Sequence, residues 1–274
     1  MRNGTASRVG THALLLLSGV LAVLPFVSIG LISLYPPDQA PTGLALPHTI
    51  NFGNYARAWN VANFSTLLRS SGIVALVVVP LAGLICILTG YAFGTMRFRC
   101  MKPLFVLFLV GLLMPFEATI IPLYYDLRAI GLSNTYPGLI LPEAALFVSF
   151  GTFWMRAQFL STSRALVEAA RLDGANSWTT LWRILVPGAM PAITTMTVLF
   201  FIWSWNEFLL ALVLASDPSV QTAPAGLAFF FGEHVTDVPG LAAAAFIVTT
   251  PALIVYVLLQ RSFIQGVTSG GVKG

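Results

Sequence analysis

The sequence predicts an all-α membrane protein with six transmembrane helices and both termini on the cytoplasmic side. Three observations predict it. Hydrophobic residues make up 57% of the 274, and only 9% carry a charge, whereas a soluble domain carries about 25% charged residues to cover its own surface. The mean hydropathy is +0.85, and the apolar residues gather in six runs, each near the roughly 20 residues that cross a bilayer as a helix. Basic residues then collect in alternate loops, which orients the runs. Six helices and their loops use up the length, so residues 1–274 read as one membrane domain.

The first run, Ala13–Leu34, follows Arg2 and Arg8. At about 22 residues it exceeds the roughly 7–15-residue apolar stretch of a secretory leader, and no convincing A-x-A site follows. It reads as an uncleaved helix. The second run is Gly72–Gly94, and the loop after it holds Arg97, Arg99 and Lys102. The third, Pro103–Tyr124, and the fourth, Gly138–Phe159, are followed by a loop with Arg164, Arg171 and Arg183, Arg156 standing at its edge. The fifth is Pro191–Leu214. The sixth, Leu241–Leu259, leads to Arg261 and Lys273.

These basic residues and the two at the N-terminus make eleven on one side, against Arg57, Arg69 and Arg128 on the other. The excess marks the cytoplasmic face. The outer loops instead hold Asp38, Asp126, Asp217, Glu233 and Asp237. The net charge of +4 is therefore a topology signal, and a nucleic-acid partner is not expected. Pro25, Pro80, Pro115, Pro122, Pro142 and Pro191 lie in or at the edges of the runs. Each frees a backbone carbonyl, which is tolerated where neighbours or a wet cavity satisfy it.

Two chemistries are excluded by counting. Lys102 and Lys273 are the only lysines and neither follows a glycine, so no G-x-x-x-x-G-K-[ST] phosphate loop exists. Cys86 and Cys100 form no C-x-x-C, which argues against zinc or disulfide frameworks. His12, His48 and His234 have no metal-ligand spacing.

The longest cytoplasmic stretch, Arg156–Met190, carries the most information, and its loop spans about 160–187. Ser161, Thr162 and Ser163 offer N-caps for a short helix over Arg164–Leu172. Asp173 and Gly174 end it, with the glycine suited to the left-handed C′ position. Asn176 or Ser177 then caps a second helix, in which Trp178, Leu181, Trp182 and Leu185 recur as an apolar stripe. Pro187 closes that helix. Two short helices with a sharp turn form a knob suited to push against a partner.

Glu168-Ala169-Ala170, Gly174 three residues on, and Ile184-Leu185-Val186-Pro187 nine residues after that resemble the EAA motif, E-A-A-x3-G-x9-I-x-L-P. That motif marks permease subunits of binding-protein-dependent ABC importers. The departure is Val186, where leucine is usual. Phe52-Gly53-Asn54-Tyr55, Gly131-Leu132-Ser133-Asn134-Thr135, Trp203-Ser204-Trp205-Asn206-Glu207-Phe208 and the tail from Gly266 to Gly274 are similar to the carbohydrate-uptake branch. Within it, the chain resembles the second membrane subunit of the maltose importer.

The resemblance implies the ABC importer permease fold in a prokaryotic cell membrane. It also implies these partners: a second permease subunit in a heterodimer, an ABC ATPase dimer, an extracytoplasmic sugar-binding protein and the lipid bilayer. This chain needs no cofactor of its own, because ATP and magnesium belong to the ATPase. Carried over, Glu168, Ala169, Ala170, Asp173 and Gly174 form the ATPase interface, and the tail residues Gly270, Gly271 and Lys273 make a further contact. Other solutes of such permeases, such as glycerol phosphate or a polyamine, stay open, as does an ion-coupled transporter using Glu117 or Glu207.

Charged groups inside spans are costly and mark function by default. Glu117, Glu143 and Glu207 qualify, with Glu143 close enough to the outer boundary to be expected at the interface. Trp203, Asn206 and Glu207, with Glu117, are candidates for a sugar path, since sugars bind by hydrogen bonds and by stacking on aromatic faces. The alternative is that Asn206 and Glu207 lock helices together. Phe150, Phe153 and Trp154 read as packing or lipid-facing residues.

Overall fold

The structure is a computed structural model that describes residues 5–37, 39, 45–231 and 237–271. Arg2, Asp38, Glu233, His234 and Lys273 lie outside the described residues. The fold is helical, and two compact units form, Met1–Ser65 with Gly226–Thr250, and Thr66–Ala225 with Pro251–Gly274.

In the first unit α1 (Thr5–Ile32) is apolar from Ala13 onward apart from Ser18 and Ser28, and its span, Gly10–Ile32, buries nothing inside the chain. Leu14, Leu16 and Leu21 are all exposed, as a lipid-facing helix requires. The short α2 (Gly53–Val61) is pinned by the fully buried Asn54. Its Nδ2 donates to the carbonyls of Ser33 at 2.8 Å and Tyr35 at 2.7 Å, satisfying the chain where it leaves α1. Arg57 of α2 pairs with Asp237 at 2.9 Å, and Asp237 Oδ1 also accepts from Gly240 N at the start of α12 (Val238–Gly271).

The second unit is built on α3 (Phe64–Thr95) and α6 (Tyr136–Ser161). A Cβ on Gly90 would collide with Met155, and one on Gly151 with Cys86. Only glycine allows backbones this close, and the Gly90-x-x-x-Gly94 spacing presents that small face to α6. Thr89 and Thr152 share a hydrogen bond of 2.7 Å across the same contact. Val78, Cys86, Met155, Met196 and Phe200 fill the core around it.

Four helices are long and apolar enough to cross a membrane: Gly10–Ile32, Phe64–Thr95, Tyr136–Ser161 and Val238–Gln260. The count reaches six if two bent pairs each make one span. The first pair, α4 (Met101–Leu113) and α5 (Phe116–Ala129), replaces the straight third span with a 99° bend. Pro115 is the cause. It has no N–H to continue the ladder, and it holds Met114 in an extended conformation (φ −71°, ψ 126°). The other in-helix prolines, Pro25, Pro80, Pro122, Pro142 and Pro251, interrupt no helix.

The segment after α7 (Arg164–Leu172) also departs from expectation. A helix starts as α8 (Ser177–Thr179), widens to a π-helix over Thr180–Leu185 and continues as α9 (Val186–Gly188). Pro187 therefore lies inside it, and the break comes at Ala189, with a 78° bend to α10 (Met190–Trp205). The 16 residues of α10 rise about 24 Å, short of a bilayer core. The expected fifth span stops at Trp205 and resumes only as α11 (Leu209–Leu214).

Candidate functional site

The knob between α6 and α10 is built by local hydrogen bonds. Gly174 takes φ +82°, a conformation that costs residues with a Cβ about 1–2 kcal/mol. Its N–H reaches the Arg171 carbonyl at 3.1 Å, and the next N–H, of Ala175, reaches back to Ala170 at 2.9 Å. Both bonds of the Schellman closure are thus present, and the last carbonyls of α7 are satisfied. Asn176 starts the next helix, its Oδ1 accepting from Thr179 N at 2.8 Å. Ser163 makes no side-chain cap to α7, while Ser161 and Thr162 bond back to the Gln158 carbonyl. The expected serine and threonine caps are therefore not formed.

The five residues of the expected ATPase interface divide. Glu168, Ala169, Asp173 and Gly174 are exposed. Ala170 is only 6% exposed and packs inward, so its small size serves the seating of α7 on its own chain. Two apolar side chains that the motif does not name stand out instead. Leu172 is 89% exposed, one turn beyond Glu168, and Trp178 is 64% exposed across the turn. Trp178 of the apolar stripe meets the Trp182 ring at 5.6 Å and lies in the first turn, ahead of the π-helix that buries Thr180, Leu181 and Leu185. Leu172 shows no periodicity signal, because α7 is only nine residues long.

The path candidates gather at the break between α10 and α11. Trp203 rests against Phe147, Phe150 and Phe200, with ring centroids at 5.7, 5.0 and 6.0 Å, and remains 39% exposed. Phe150 and Trp154 stack at 6.0 Å, and the Trp154 indole donates to the Ala192 carbonyl at 3.0 Å, a packing arrangement. Asn206 ends α10, its Nδ2 donating to the Ile202 carbonyl at 2.7 Å. Glu207 Oε1 accepts from Leu210 N at 2.8 Å at the start of α11, where a carboxylate also complements the helix dipole. Glu117 is exposed in the first turn of α5.

Glu143 is not exposed. It is 2% exposed, buried on α6, and Ser204 of α10 is 5% exposed. Neither the Glu143 Oε1 nor the Ser204 hydroxyl makes a hydrogen bond of 3.5 Å or less, although the Ser204 hydroxyl and the Glu207 carboxylate lie near enough to act on the Glu143 carboxyl. The correction has a physical reason. Position along a span gives the depth of a residue, but its burial depends on α10, some sixty residues later in the chain. Of the tail residues, Gly270 and Gly271 end α12.

The family described as the binding-protein-dependent transport system inner membrane component matches residues 86–269. The chain is 32% identical over 255 residues to the trehalose transport system permease protein SugB of Mycobacterium tuberculosis, covering 92% of this chain and 93% of that one. It is 32% identical over 266 residues to the diacetylchitobiose uptake system permease protein NgcG of Streptomyces coelicolor, covering 95% and 87%. Among solved structures, a chain of a bacterial ABC transporter involved in the import of the acidic polysaccharide alginate superposes with a TM-score of 0.78 at 23% identity, covering 96% and 99%. That likeness shows the fold, the ABC importer permease fold. The chain belongs to the family of binding-protein-dependent transport system inner membrane components.

Proposed function

We propose that this chain is one permease half of an importer that moves a sugar or oligosaccharide into a prokaryotic cell across the inner membrane, with both termini cytoplasmic. A second permease subunit completes the channel, an extracytoplasmic binding protein delivers the solute, and a separate ATPase dimer binds ATP and magnesium. The relatives' names support the solute class: trehalose, diacetylchitobiose and, for a permease of Halalkalibacterium halodurans at 31% identity, arabinooligosaccharides. A second structural match, with a TM-score of 0.68, is to an alginate transporter in complex with a pentasaccharide-bound periplasmic protein.

The observation that carries the reading is the closed turn at Gly174. A helix ended by two backbone bonds presents a fixed surface, and Glu168, Ala169, Asp173 and Gly174 lie on it with the exposed Leu172 and Trp178. Closure of the ATPase dimer moves this surface as a rigid body, and the force passes through the buried Leu181 and Leu185 into the helices of the path. Glu207 and Asn206 hold the α10–α11 break in shape. The Trp203 face stacks on the sugar ring, and the Glu143 and Ser204 oxygens meet its hydroxyls when the helices part. The tail residues Gly270, Gly271 and Lys273 add a second contact to the ATPase.

The test is uptake of labelled sugar into liposomes holding the full complex, with binding protein and ATP supplied in turn. Uptake should require both and should be absent from liposomes holding this chain alone. Uptake by this chain alone under a proton or sodium gradient would replace the reading with ion-coupled transport.

A further inference from the structure

At the ends of α3 and α6 the second unit forms an open cleft of about 720 Å³. Arg97, Arg156 and Arg171 line it, against a single acidic residue, Glu168. Phe93 and Phe159 contribute apolar wall. A smaller cleft of about 350 Å³ shares Arg97 and adds Lys102, so the positive charge continues along one side.

Arg156 is held in place. Its Nε donates to the Phe93 carbonyl at 3.3 Å, and its guanidinium lies 4.2 Å above the Phe105 ring. That bond engages one of the five N–H groups of a guanidinium. Such a planar fork suits the oxygens of a phosphate. The location narrows the ligand further. Both α3 and α6 are long and apolar enough to cross a bilayer, so a cleft at their ends lies at the membrane surface. A site there with basic groups beside apolar wall fits an amphiphile with an anionic head.

We propose that this cleft binds the headgroup of an anionic phospholipid, with Arg97, Arg156 and Arg171 on the phosphate and the apolar wall against the start of the acyl chains. Basic pockets on the cytoplasmic side of membrane helices take such headgroups. Because α7 supplies Glu168 and Arg171 to the lining, a bound headgroup ties the knob to the ends of α3 and α6. Occupancy therefore steadies the surface offered to the ATPase. The site does not depend on which solute is carried.

The experiment uses the complete complex, equilibrated with equal amounts of phosphatidylglycerol and phosphatidylcholine, and counts retained lipids by native mass spectrometry. Wild type should retain phosphatidylglycerol in preference. Arg97→Gln and Arg171→Gln should each reduce that preference about fivefold, and adding inorganic phosphate should leave it unchanged. Arg156 also makes contacts within the fold, so the exposed Arg97 and Arg171 carry the test, with subunit co-purification as the check on assembly. Equal retention of the two lipids, or a preference unchanged in Arg97→Gln/Arg171→Gln, overturns the proposal. Displacement by inorganic phosphate assigns the site to a free anion. Retention only after the ATPase is stripped off assigns the site to an acidic side chain of the ATPase. Both of these outcomes also overturn it.

Discussion

The backbone N–H of Ala175 reaches across Gly174 to the carbonyl of Ala170 at 2.9 Å. This bond folds the chain back at the tip of the knob, and it forms only because Gly174 adopts φ +82°. Beyond its two chain neighbours, no atom lies within 4 Å of where a Cβ at Gly174 would stand, so the cost of substitution is in the local backbone. Gly174→Ala should therefore lose about 1–2 kcal/mol of local stability, seen as faster amide hydrogen exchange at Gly174 and Ala175 with the rest of the chain unchanged. Exchange equal to wild type would show that the turn does not depend on glycine.

Leu172 and Trp178 are apolar, exposed and adjacent to that turn. Exposed substitutions usually change stability by no more than about 0.5 kcal/mol. Leu172→Ser and Trp178→Ser should therefore leave membrane levels normal while weakening ATPase retention during co-purification. Full retention in both variants would remove these side chains from the interface.

Glu207 is predicted to act first as a helix-end group. Glu207→Ala removes the acceptor for Leu210 N and should cost about 1 kcal/mol, while Glu207→Gln keeps an acceptor and should be milder. Thermal unfolding of the purified complex measures both. If Glu207→Ala unfolds like wild type yet abolishes uptake, the residue serves the solute path and not the helix end.

The crossing of α3 and α6 predicts a different failure. Gly151 sits against Cys86 and Phe200, so Gly151→Leu adds volume to a filled contact. The cost is about 1–3 kcal/mol, and the membrane level of the subunit should fall. A normal level, measured by immunoblot, would mean the helices separate without penalty.

The basic asymmetry predicts opposite accessibility for two exposed residues. A cysteine at Ser219 should react with an impermeant reagent in intact cells, and a cysteine at Ser177 only after permeabilisation. The reverse pattern contradicts the orientation.

What was legible in the sequence follows from how local its cause is. Four long helices could be read because each is one continuous apolar run, and the turn at Gly174 because its chemistry lies within five residues. The bend at Pro115 was visible as a proline, but its 99° angle was not. A proline also lies inside α3, α5 and α6 without breaking them, so the residue type does not predict the outcome. The break after Trp205 was hidden because the Trp203–Phe208 stretch passed as part of a span. Its stability comes from Glu207 bonding Leu210 and from Thr222 reaching the Glu207 carbonyl. The burial of Glu143 depends on a helix distant in sequence.

The central claim is that the knob passes force between the ATPase and the path. The most direct measurement is ATPase activity of the reconstituted complex, with and without loaded binding protein, comparing wild type with Gly174→Val. The β-branched residue is strained at φ +82°, and Gly174 lies outside the apolar helices that cross the membrane. An intact complex, normal membrane levels and loss of the stimulation are expected. Stimulation equal to wild type in an intact Gly174→Val complex would contradict it.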